Sequence, residues 1–247
     1  MTTPLASVGF KLFSPEESLQ LATVVAEKGE RVSTAKGNYV ALTTDTGSQI
    51  WAKLDDHKRP YAILPHFKGD SVNTLLLAQR IKYSENALDG RFLAWINPRS
   101  NTLGFGGPPG DYTIIFESPN YAFYTYMETP CTVEVQIACL AREVMVFSSV
   151  EDYNQYPGKS CPVETVLLPS NTAGNIAANE PEAFICGIVQ TTKVFENPLT
   201  HYYFQWARVK VQGAFFDVCV DTAILDSPMT PGGVVAGNFN ISGLIVV

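Results

Sequence analysis

Thr132-Val133-Glu134-Val135-Gln136-Ile137-Ala138-Cys139-Leu140 alternates between apolar and polar residues. Val133, Val135, Ile137 and Cys139 share one side, and Thr132, Glu134 and Gln136 share the other. That two-residue period belongs to a strand with one face in a core. Upstream, Thr74 to Tyr83, Arg91 to Ile96 and Tyr112 to Phe116 read as further strands. Downstream, Phe184 to Phe195, Tyr202 to Val211, Ala214 to Val220 and Gly233 to Val247 do the same. Short strands between Gly- and Pro-rich turns predict a mostly antiparallel chain with a small closed barrel at its end. Gly237 and Gly243 are the residues that would let the last strand bend.

The N-terminal part reads differently. Val8 to Phe13 is a short strand candidate, and Ser14-Pro15-Glu16-Glu17 opens a helix with a cap, a first-turn proline and a capping-box glutamate. Leu19, Ala22, Val25 and Ala26 recur at helical spacing, and Gly29 stops the helix. Asn38 to Thr43 and Gln49 to Leu54 flank the turn Thr44-Asp45-Thr46-Gly47-Ser48 as a hairpin, and Tyr61 to Phe67 follows as a strand. The opening order is therefore β-α-β-β-β. Ser149 caps a short helical turn. Pro157 to Pro181 is rich in Pro, Gly, Ser, Thr and Asn, and its second half reads as a linker. The expected architecture is an α+β domain over residues 1–180 and a small all-β barrel over residues 181–247.

The chain has 247 residues, 46% of them hydrophobic and 17% charged, which excludes a disordered chain. Its net charge is −7, and no basic cluster exceeds His57-Lys58-Arg59. Such a balance repels phosphates and argues against a dedicated nucleic-acid binder. No apolar run is long enough to cross a membrane as a helix, and the first residues lack a charged start to an apolar segment. A cytoplasmic protein is expected, with a homo-oligomer left open. The five cysteines, Cys131, Cys139, Cys161, Cys186 and Cys219, show no Cys-x-x-Cys spacing. Cys139, Cys186 and Cys219 sit in apolar runs and read as small buried hydrophobes.

Several segments carry a resemblance. Gly37-Asn38-Tyr39, Gly47-Ser48-Gln49-Ile50-Trp51, Pro65-His66-Phe67 and Ala87-Leu88-Asp89-Gly90 lie in the first half. Asn197-Pro198-Leu199-Thr200, Trp206-Ala207, Phe216-Asp217-Val218, Pro231-Gly232-Gly233 and Gly237-Asn238-Phe239-Asn240-Ile241-Ser242-Gly243 lie in the second. In this order they resemble a family of uncharacterised bacterial proteins, whose typical tail has Trp where this chain has Asn240. The resemblance implies no catalytic residue. The C-terminal strands are similar to an OB-type barrel and the opening elements to half a glyoxalase-like module. Both are likenesses of fold, which do not define function.

Few residues qualify for a site. His57 lies in a charged turn, and His201 follows a turn and precedes a strand. His66 ends an apolar strand, where an imidazole can serve as base or ligand. Trp51 and Trp206 are the other ligand-binding candidates, Trp206 because aromatics on a barrel face can stack on a ligand or a base. A chelate-type metal site would have to use Lys11, Gln49 and Trp51, which is a poor donor set, so no metal or cofactor is expected. Gly104 to Gly110 lacks the Lys-Ser/Thr of a phosphate cradle. The leading expectation is a non-catalytic intracellular binding or interaction protein. The alternatives are a small-molecule enzyme with a site near His66, and single-strand nucleic-acid binding by the barrel. The face of Trp206 is expected to pack on the N-terminal part or on a second subunit.

Overall fold

Ser14 ends the entering chain and starts the 14-residue helix α1 (Pro15–Lys28). The Ser14 hydroxyl accepts the Glu17 N–H at 3.2 Å, and the Glu17 carboxylate reaches back to the Phe13 N–H at 2.6 Å. The first bond satisfies one orphan amide of the first turn, and the second holds the residue before the cap. The buried face is centred on Leu21, Ala22 and Val25, whereas Leu19 points outward. This computed structural model describes residues 2–82, 88–101, 103, 107–169 and 180–246. The expected linker is described only in part, because residues 170–179 lie outside that set, as do Tyr83, Ala87 and Gly104.

Val8 to Phe13 is not a strand. Ala6–Val8 forms a single 3-10 turn that ends at Gly9 with φ 82. The Val8 carbonyl accepts from Ser48 Oγ at 2.9 Å and from Asn197 Nδ2 at 3.0 Å, so side chains take the place of a neighbouring strand. The opening order is therefore a helix and then four antiparallel strands: β1 (Glu30–Thr34), β2 (Gly37–Thr43), β3 (Ser48–Leu54) and β4 (Pro60–Phe67). β1 was not legible in the sequence. Every residue of β3 is buried. Ile50, Ala52 and Leu54 pack with Leu21 and Val25 of α1. Gln49, Trp51 and Lys53 face the other way, as do their neighbours Leu64 and His66 across the β3–β4 pairing.

Among the described residues the second sheet has nine strands: β5 (Val72–Lys82), β6 (Gly90–Ile96), β7 (Tyr112–Glu117), β8 (Cys131–Phe147), β9 (Thr165–Leu167), β10 (Glu182–Glu196), β11 (Tyr203–Val211), β12 (Ala214–Asp221) and β13 (Val234–Val246). β8 and β13 run antiparallel from the Val234–Phe147 pair to the Val246–Glu134 pair. The other edge of β8 is divided between β5, at residues 131–136, and β12, which runs parallel at residues 138–140. The other edge of β13 is divided in the same way, between β10 at residues 234–240 and β7 in parallel at Ser242. Two strand circuits result, β5-β6-β7-β13-β8 and β10-β11-β12-β8-β13. They share β8 and β13 and have the same internal order. Closure removes the free edges that the long strands would otherwise expose.

The expected boundary near residue 180 therefore does not separate two sheets. The four long strands after it close only by taking β8 as a fifth strand. β8 can serve both circuits because it is longer than its alternating stretch. Its second half, through Phe147, pairs with the first half of β13. Gly237 and Gly243 are needed there for close approach. A Cβ on Gly237 would lie 2.1 Å from the Glu143 carbonyl oxygen, and one on Gly243 would lie 2.3 Å from the Phe116 ring. After β8, Ser149 caps α2 (Val150–Gln155) as expected.

Candidate functional site

The outward row of β3 and β4 lies against the two shared strands, and His66 sits at the centre of that contact. It is fully buried. Its Nδ1 lies 2.8 Å from Ser242 Oγ of β13, and its Nε2 lies 2.6 Å from Gln136 Oε1 of β8. Gln136 Nε2 in turn donates to Asp217 Oδ2 at 2.8 Å. The amide orientation fixes the tautomer. Gln136 turns its oxygen to the imidazole, so Nε2 carries the proton and Nδ1 accepts from the Ser242 hydroxyl. Burial pushes the His66 pKa down to about 4, opposed by the bond to Gln136, so the ring is neutral.

Asp217 of β12 completes the chain of contacts. Its Oδ2 also accepts the Ser71 N–H at 3.0 Å, and its Oδ1 accepts the Trp206 indole N–H at 2.9 Å. Burial raises the Asp217 pKa, against the three donors that hold the carboxylate. Gly69 makes this fit possible, since a Cβ there would lie 2.3 Å from the carboxyl group. One line of polar contacts thus runs His66–Gln136–Asp217–Trp206 and ties β4 to β8, β12 and β11.

The far end of that line fixes an aromatic surface. Trp206 is half-buried and stacks on Phe67, with ring centroids 6.2 Å apart and an interplanar angle of 27°. Phe195 lies beside Phe67 at 6.3 Å. These three rings floor a cavity of about 450 Å³, rimmed by Thr44, Asp45, Lys68 and Asp70. The rim is held by backbone bonds: Thr44 N–H to the Ser48 carbonyl at 2.9 Å, and Lys68 N–H to the Gly47 carbonyl at 2.8 Å. The volume lies in the range that takes small ligands.

A second polar centre lies along the same row. Lys53 is 3% exposed and ion-paired with Asp89. Burial pushes its pKa down to about 8, opposed by the nearby Glu117 carboxylate. Burial raises the Glu117 pKa against the pull of Lys53 and Arg91. Arg91 pairs with Glu180 at 2.7 Å. Glu117 and Ser242, neighbours across the parallel contact, border a smaller cavity of about 160 Å³.

The three ligand-binding candidates thus separate into a connected pair and an outlier. His66 and Trp206 belong to one network. Trp51 is a core residue: its ring meets Tyr39 edge-on at 5.7 Å, and its N–H donates to Gln49 Oε1 at 2.7 Å. His57 lies in an exposed turn, and His201 pairs with Glu196 at 2.7 Å on the surface. Among the described residues, no three His, Cys, Asp or Glu side chains gather as a metal site. Gln136, Asp217, Lys53 and Glu117 were missed. Two of them gave a signal: Lys53 and Asp217 are charges flanked by apolar residues within strands.

The fold and site define, among the described residues, a mostly β protein with two polar clusters between a four-stranded sheet and a nine-stranded mixed sheet. Comparison of the chain with protein-family models, with curated proteins and with solved structures finds no match. Among the described residues, no helix is long and apolar enough to cross a membrane.

Proposed function

We propose that this chain is a non-catalytic binding protein, and that its ligand site is the cavity over Trp206. The observation that carries this reading is the Asp217–Trp206 bond beneath the Phe67 stack. It fixes an indole at the floor of a cavity with a polar rim. Preorganised aromatic faces supply contact area at low entropic cost. The rim offers hydroxyls, carboxylates and one ammonium, a mixture that suits groups able both to donate and to accept. The ligand class is a small, uncharged, hydroxyl-bearing molecule whose C–H face lies on the indole. The polar atoms beneath the ring are spent on one another, which favours binding over chemistry.

For the circuit β10-β11-β12-β8-β13 we propose the OB-type reading, supported by its five strands and its single parallel contact. Nucleic acid remains disfavoured, because Asp45 and Asp70 outnumber Lys68 at the rim. The test of the binding reading is a thermal-shift panel of monosaccharides and polyols. A ligand that binds the native state raises the melting temperature. The exposed rim variants Asp45→Ala and Asp70→Ala should lose the rise while keeping the unliganded melting temperature. A rise that both variants retain moves the site elsewhere.

A second reading, an enzyme with its site near His66, is favoured by one observation. Ser242 Oγ, at the small cavity, bonds to a neutral imidazole whose other nitrogen is oriented by Gln136, the arrangement of a nucleophile, base and orienting group. Covalent labelling of Ser242 by a fluorophosphonate, absent in His66→Gln, would support it. An unlabelled Ser242 in the folded protein would remove it.

A further inference from the structure

Tyr153 of α2 is 1% exposed and brings two cysteines together. Its hydroxyl donates to the Cys161 carbonyl at 2.7 Å, and its oxygen lies 3.7 Å from Cys161 Sγ. Cys186 shares a buried cluster with Tyr153, and Cys161 packs against that cluster. Val234 and Ala236 enclose the group, with Phe147, Val163 and Phe184 packed around it. Cys186 is fully buried on β10, where it pairs with Thr165 of β9. Cys161 lies in the segment that leads into β9 and is only half-buried. Both are free thiols. The cluster joins residues on the two sides of the chain around position 180.

We propose that Cys161 and Cys186 are a redox pair that closes to an intramolecular disulfide when the protein meets a hydroperoxide. Cys161, the more exposed sulfur, attacks the peroxide oxygen. The O–O bond breaks, Cys161 becomes a sulfenic acid, and one water (or alcohol) leaves. Cys186 sulfur then displaces the hydroxyl. An S–S bond forms, the S–O bond breaks, and the Cys186 thiol proton leaves with the hydroxyl as water. Two thiols lose two electrons, and the one peroxide is reduced by two. Tyr153 stands beside the Cys161 sulfur, where its hydroxyl can relay the proton. Burial pushes the Cys186 pKa up to about 11, so this thiol stays protonated and is not the one that meets peroxide first. The bond would tie the approach to β9 onto β10.

Cys139 and Cys219 provide an internal control. They lie on the paired strands β8 and β12 and are both fully buried, so oxidant has no path to them. The experiment treats the reduced full chain with hydrogen peroxide, blocks remaining thiols by alkylation, and maps peptides without reduction. The expected product is a Cys161–Cys186 crosslink, with the free-thiol signals of both lost and those of Cys139 and Cys219 retained. In Cys186→Ser, dimedone should trap Cys161 as its sulfenic acid adduct. In Cys161→Ser, which alters the half-buried partner only, Cys186 should stay reduced. Separate alkylation of Cys161 and Cys186 after peroxide, or a dominant crosslink to Cys131, would overturn the proposal.

Discussion

Glu117 and Asp217 occupy corresponding places in the two strand circuits. Each lies on the third strand of its half, beside the parallel contact with the other half's shared strand: Glu117 opposite Ser242, and Asp217 opposite Ala138. Their surroundings have diverged. Asp217 accepts three hydrogen bonds and anchors Trp206, whereas Glu117 faces Lys53 and borders a cavity.

The two carboxylates should therefore respond differently to mutation. Asp217→Ala strands the Trp206 and Gln136 donors and the Ser71 amide inside the protein. An unfolding free-energy loss of about 3 kcal/mol is expected from orphaned buried donors. Glu117→Gln, which keeps shape and removes a charge, should cost less than about 1 kcal/mol. Urea titrations of both variants check this, and equal losses would show that the two positions are energetically alike.

His66 makes stability depend on pH with a definite sign. Its folded pKa is about 4, below the ordinary 6.5. Between those values the unfolded chain binds the extra proton, so stability rises with pH through that window and falls on acidification. By pH 5 the loss from this group should be about 2 kcal/mol relative to pH 8. Asp217 works in the opposite direction, since a raised carboxyl pKa favours the folded state at low pH. Comparing denaturant midpoints at pH 8 and pH 5 in the native protein and in His66→Gln isolates the imidazole. The variant should lose most of the acid sensitivity.

Lys53 is a buried cation between two carboxylates. Lys53→Met leaves Asp89 and Glu117 without it, and removing one partner from a buried pair costs about 3–5 kcal/mol. The Glu117 pKa should rise further, which carboxyl titration by NMR would read. In the native protein the depressed Lys53 pKa of about 8 means that stability rises as pH climbs from there toward 10.5.

Gly237 tests the shared strand pair. Gly237→Ala places a Cβ against the Glu143 backbone, which cannot rotate away, and should cost about 1–3 kcal/mol. Because β13 belongs to both circuits, hydrogen exchange should quicken in β10 and in β8 together. Faster exchange in β10 alone would argue that the circuits are independent.

Much of the strand pattern was legible because local period and turn chemistry report it. The Gly47 hairpin and the Ser14 cap appear as read, and Thr132–Leu140 is a strand, but both of its faces are buried from Val135 onward because the first sheet covers the Gln136 side. Val8 and Phe10 misled, because apolar residues bury equally well in an irregular segment whose carbonyls are met by side chains. Circuit closure was not legible: the β8–β13 pairing joins residues about a hundred positions apart, and no local signal encodes it. His66 and Trp206 could be picked out one at a time. Their connection could not, since it runs through Gln136 and Asp217 on two other strands.

The binding reading rests most directly on Trp206. With Trp51→Phe and Trp95→Phe together, it becomes the only tryptophan of the three in the chain. Its emission then reports the cavity alone. Titration with the monosaccharide and polyol panel should produce a saturable change in intensity and wavelength for at least one compound, and Asp70→Ala in the same background should abolish it. Emission that stays constant across the whole panel, in a protein whose melting temperature confirms the native fold, would contradict the account.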